Sequence, residues 1–76
     1  MAHLRVYYPG SGDSRLAAFW RETHNSLSQG LNLVIYTRGE SEAKQCERAI
    51  RRYQRQHHLA CLVHRIQSEV VAVAFY

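Results

Sequence analysis

The chain is sparing in several residue types: among its 76 residues are one proline, one tryptophan, one methionine and two cysteines, with Asp13 the only aspartate and Lys44 the only lysine. Two cysteines, Cys46 and Cys61, both at apolar positions, offer no disulfide framework and read as buried free thiols of a reducing compartment. No window approaches the ~20 consecutive apolar residues that a bilayer-spanning helix needs, and no secretory signal opens the sequence. We therefore expect no membrane partner and a cytoplasmic location. Catalytic sets are missing too: Asp13 stands alone, and His24 has no serine or cysteine at a spacing that would make it a base. No enzyme activity, catalytic residue or cofactor is assigned.

What is present suits one small domain spanning residues 1–76. Hydrophobic content of 46% is that of a globular protein. A chain this short buries only about 60% of its extended surface, so a homodimer would add to its stability. The net charge is +4, and nine of the ten basic residues are arginine. The planar guanidinium fork fits phosphate and carboxylate, which points to anionic partners.

Periodicity predicts the order βαβαββ. From His3 to Tyr8 apolar residues alternate with His3, Arg5 and Tyr7, as in a strand with one core face. Pro9-Gly10-Ser11-Gly12 ends that strand, and Asp13 or Ser14 can cap the next helix. Leu16, Phe19, Trp20, Thr23 and Leu27 form a helical apolar stripe, with Gly30 as its left-handed terminator. Residues 31–37 are apolar on both faces, the pattern of a central strand. Arg38-Gly39 turns the chain, Ser41 is a candidate cap, and a second helix reaches about His57 with Ala43, Cys46, Ile50 and Tyr53 on its apolar side. Residues 59–66 and 69–76 make two further strands, joined by a hairpin at Gln67-Ser68. The fold class expected is α/β (α+β): a four-stranded mixed sheet with both helices on one face. The opposite face would carry apolar residues of the second and fourth strands, with Tyr7 and Tyr36 together and Phe75 or Tyr76 joining them.

The second helix carries the charge. At 100° per residue, Lys44, Arg48, Arg51 and Arg55 fall within roughly 60° of one another, and Arg52 lies just beside them. A row of cations at this spacing can follow a phosphate backbone, with counterion release supplying affinity. A solvated face would share some of the same features. Glu40, Glu42 and Glu47 precede the arginines, an order that suits the helix dipole, and Glu40–Lys44 and Glu47–Arg51 are spaced for i,i+4 pairing. What that reading does not require is four cations, Arg48, Arg51, Arg52 and Arg55, without a downstream acid. An acidic protein surface is a further possible partner.

Other clusters carry less. Gly10-Ser11-Gly12 reads as a turn rather than a phosphate loop, because Asp13 follows it. His57, His58, Cys61 and His64 resemble metal ligands in composition, yet strand alternation sends Cys61 and His64 to opposite faces, so no metal site is assigned.

Between Leu27 and Ile50 the chain resembles the Alba family of small chromatin and RNA-binding proteins. The resemblance rests on Gln29-Gly30 at a helix end, Leu33-Val34-Ile35 in a strand, the Arg38-Gly39 turn, and Lys44 just inside the next helix. It implies the same βαβαββ order, dimerisation, and binding of DNA or RNA. The family's lysine-bearing loop and long basic hairpin arm have no counterpart here, so the contacts would shift to Arg38, Lys44 and the second helix. The element order is also similar to that of a bacterial translation initiation factor's C-terminal domain and of sulfur-carrier proteins, although the latter need a Cys-Pro where this chain has Asp13-Ser14.

The sequence thus points to a non-enzymatic nucleic-acid-binding module contacting phosphates through Arg38, Lys44, Arg48, Arg51, Arg52 and Arg55. The alternative is a small protein-binding inhibitor or adaptor of the phage or mobile-element type, anti-CRISPR proteins being one such class.

Overall fold

The computed structural model describes residues 3–76. Strand β1 (Leu4–Tyr7) is followed by α1 (Leu16–Ser28), β2 (Leu33–Tyr36), α2 (Glu40–His57), β3 (Cys61–Gln67) and β4 (Val70–Phe75). The strands form one open sheet in the order β1-β2-β4-β3. β1 and β2 are parallel, whereas β4 runs antiparallel to both of its neighbours, β2 and β3. The expected mixed sheet and its two helices are therefore present.

Sheet register sorts the core. Leu33 and Ile35 lie opposite Val73 and Val71, and Val63 lies opposite Val73, so these side chains share the helix-facing side. All are buried, together with Leu27 of α1 and Ala43, Cys46 and Ile50 of α2. The predicted α1 stripe supplies Thr23 and Leu27 to the interior, while Leu16, Phe19 and Trp20 are partly buried against it. Both cysteines are buried free thiols, and burial pushes the Cys46 thiol up to about 12.

The helix ends differ in detail from expectation. Neither Asp13 nor Ser14 is the first cap. Arg15 holds that position, and the Asp13 carboxylate accepts the Arg15 backbone N–H at 2.8 Å just ahead of the helix. At the far end, Gly30 takes φ 76°, its N–H donating to Leu27 O at 3.0 Å while Leu31 N–H reaches Ser26 O at 3.1 Å. This crossed pair is the Schellman closure that a left-handed residue permits. Gly39, not Ser41, caps α2 and offers no side chain for the purpose. Glu42 compensates by accepting the Arg38 N–H at 3.0 Å. The hairpin turn falls at Ser68-Glu69, one residue later than expected, and the β3–β4 register shifts between Arg65 and Gln67.

Candidate nucleic-acid interface

α2 lays its apolar side over β3 and β4, which turns Lys44, Arg48, Arg51, Arg52 and Arg55 to the exterior. The helix extends to His57, where His58 closes it in a left-handed conformation with φ 53°. Lys44 to Arg55 covers eleven residue steps, or about 16 Å along the axis at 1.5 Å each.

These cations are not equivalent. Arg51 Nη2 donates to Val63 O at 2.9 Å and pairs with Glu47 at 2.8 Å. Arg65 reaches up from β3 to the same acid, Nε to Glu47 Oε1 at 3.2 Å, and its Nη1 approaches Glu40 at 3.4 Å. Arg65 lies opposite Val71, on the helix side of the sheet, which is why it meets α2 from below. The expected Glu40–Lys44 pair is therefore absent, Glu40 being engaged by Arg65, whereas Glu47–Arg51 forms as its spacing implies. Arg51 is part of the α2–β3 joint.

Arg38 is likewise engaged. Its guanidinium meets Glu42 at 2.9 Å and occupies the space that a β-carbon on Gly10 would need. That bond raises Arg38 further above the usual arginine range and lowers Glu42 below the usual carboxylate range. Among the described residues, Lys44, Arg48, Arg52 and Arg55 have no ion-pair partner. The structure thus brings all six candidates to exposed positions and narrows the unpaired set to four.

The other sequence candidates take structural places. The Gly10-Ser11-Gly12 segment is a turn in which Asp13 N–H donates to Gly10 O at 3.2 Å and Ser11 Oγ donates to Gln45 at 3.2 Å. Cys61 is buried on the helix side, while His64 shares the opposite sheet face with Ala72. No three His, Cys, Asp or Glu side chains converge as a metal site among the described residues.

The open sheet face is apolar, as its pattern implied. Tyr7 and Tyr36 stack with centroids 5.3 Å apart. Phe75 does not join them, because its register opposite Cys61 puts it on the core side, and Tyr76 lies beyond the strand, exposed. Leu62 is 53% exposed on this face, and Ile66, within the β3–β4 register shift, is 52% exposed.

One cluster escaped the sequence reading. Phe19, Trp20, His24, Tyr53 and His57 form a continuous run of ring contacts between the two helices. Its sequence signal was the i,i+4 spacing of Trp20 with His24 and of Tyr53 with His57, which places each pair on one helix face.

No protein-family model, curated protein or solved structure matches the chain. Among the described residues, no helix is long and apolar enough to cross a membrane.

Proposed function

We infer that the chain is a non-enzymatic module that binds DNA or RNA by its phosphate backbone, with Lys44, Arg48, Arg52 and Arg55 as the contacts. One observation carries this reading: four exposed cations share one side of α2, and no acid pairs with them among the described residues. Their ~16 Å span matches about five phosphates at 3.4 Å of axis per strand. The Alba-like motifs between Leu27 and Ile50 support the same reading. Phosphate contacts carry no sequence information, so binding through these four cations is sequence-independent and strongly salt-dependent. The test is anisotropy titration of labelled DNA and RNA oligonucleotides with the wild type and with an Arg48→Gln, Arg52→Gln, Arg55→Gln triple variant. Loss of binding in a folded triple variant supports the assignment, and unchanged binding removes it.

A second reading, a protein-binding inhibitor or adaptor, is favoured by the exposed Leu62 of the open sheet face and the exposed Ile66 at the β3–β4 register shift.

A further inference from the structure

The two edges of the sheet are treated differently. At the β3 edge, α2 covers the outward carbonyls: Arg51 donates to Val63 O at 2.9 Å, and Gln54 Nε2 donates to Cys61 O. Those bonds occupy the groups that an added strand would need, a common defence of an edge. β1, at the other end of the sheet, has no such cover among the described residues.

The β1 backbone directions follow from its ladder. Leu4 N–H donates to Asn32 O at 3.0 Å and Tyr8 N–H donates to Tyr36 O at 2.9 Å, so residues 4 and 8 point inward at β2. Alternation then sends the N–H and C=O of Arg5 and Tyr7 outward. Beside this edge lies a groove of about 680 Å³, with residues 5–9 on one wall and Phe19, Glu22 and Thr23 of α1 on the other. Thr23 is 2% exposed, and its Oγ1 has no hydrogen-bond partner. Buried hydroxyls are normally satisfied, so Thr23 leaves an unsatisfied polar group in the wall of the groove.

The charge of the groove selects its occupant. Arg5, Arg15 and Arg38 line it against the single carboxylate of Glu22. Asp13 and Glu42 already hold Arg15 and Arg38, which leaves Arg5 on β1 and Glu22 on α1 as the groove charges without an ion-pair partner among the described residues. By register Arg5 lies opposite Val34 on the open side of the sheet, with Tyr7 two residues on.

We propose that the β1 edge and its α1 groove dock an extended, acidic segment of another protein as a fifth strand. The segment exchanges main-chain bonds with Arg5 and Tyr7. It turns alternate acidic side chains to Arg5, and small apolar or hydroxyl side chains towards Phe19 and Thr23. Strand addition of this kind draws affinity from the main chain and specificity from alternate side chains. The site is at the opposite edge of the sheet from the strands under α2, so it is independent of the nucleic-acid surface.

The test uses the full chain, isotopically labelled, with the capped peptide Glu-Val-Glu-Val-Glu-Thr as probe and its Lys-for-Glu counterpart as control. The acidic peptide is expected to shift the Arg5, Tyr7 and Thr23 amide resonances and to slow exchange of the Arg5 and Tyr7 amides. Arg5→Glu should weaken the acidic peptide at least tenfold and favour the control. Tyr7→Pro removes an outward N–H while leaving the inner ladder intact, and should abolish binding. Three results would overturn the proposal: no perturbation at Arg5 and Tyr7 up to millimolar peptide, equal response to both peptides, or shifts confined to other strands. Concentration-dependent protection of these amides without peptide, accompanied by a dimer mass, would also overturn it by assigning the edge to a second copy.

Discussion

The imidazole of His24 on α1 lies flat on the phenol ring of Tyr53 on α2, with centroids 4.1 Å apart and planes within 4°. His57 approaches the same tyrosine at 4.2 Å, and the Tyr53 hydroxyl is 2.8 Å from Ser28 Oγ. Tyr53 therefore links the two helices through stacking at its ring and a hydrogen bond at its tip.

This stack makes stability pH-dependent. Burial, with the charge of His57 behind it, holds His24 below its ordinary value of 6.5. The unfolded chain takes up that proton near 6.5 and the folded chain only at lower pH, so between the two the unfolded state binds more protons. Stability is thus expected to fall as pH drops through 6.5 towards the folded value. Urea midpoints from pH 8 to pH 5 should decline, and His24→Gln should flatten the decline. An unchanged slope in that variant would remove His24 from the account.

Arg51 and Arg48 are one helical turn apart and should behave oppositely. Arg51→Gln loses the Glu47 ion pair and the bond to Val63 O, a loss of about 1 kcal/mol of stability, with little effect on nucleic-acid binding. Arg48→Gln should leave stability within about 0.5 kcal/mol and weaken binding. Paired denaturation and anisotropy measurements separate the two.

Gly10 and Gly30 both have positive φ, at 110° and 76°, but only Gly10 has a neighbour where a β-carbon would go. Gly30→Ala should destabilise by about 1 kcal/mol through backbone strain alone. Gly10→Ala carries comparable strain and must also displace the Arg38 guanidinium from Glu42. A Gly10→Ala, Arg38→Ala double variant should therefore lose less than the sum of the single changes.

The thiols should be inert in the folded chain. With Cys46 raised to about 12 by burial and then by the nearby Glu42 charge, only about one molecule in ten thousand carries its thiolate at pH 8. Cys61, 2% exposed, is also raised by burial. A chromogenic disulfide reagent should label neither thiol natively and both in denaturant. Rapid native labelling would contradict the packing described.

The elements were readable because periodicity is a property of neighbours in sequence. Leu16, Phe19, Trp20, Thr23 and Leu27 announce α1, and the two-sided apolar run through Leu33 and Ile35 announces a central strand. Caps were less legible, since Ser41 and Asp13 have the right chemistry for caps while Gly39 and Arg15 hold the cap positions. The ion pairs were least legible. Glu40 has Lys44 at helical spacing, yet Arg65, 25 residues away, reaches it because β3 runs beneath α2. That long-range choice left Lys44 among the free cations, whereas Arg51 is held by Glu47 at the helical spacing the sequence shows.

The most direct measurement is the salt dependence of affinity for a labelled DNA duplex by fluorescence anisotropy. Four neutralised phosphates predict a slope of about −3.6 in log K against log salt, or a loss of roughly 150-fold between 50 and 200 mM, whereas all six sequence candidates would predict about −5.4. A slope near −3.6 that collapses in the Arg48, Arg52, Arg55 triple variant is the result the account predicts. Salt-insensitive binding, or no binding at low salt to duplex or single-stranded DNA or RNA, would contradict it.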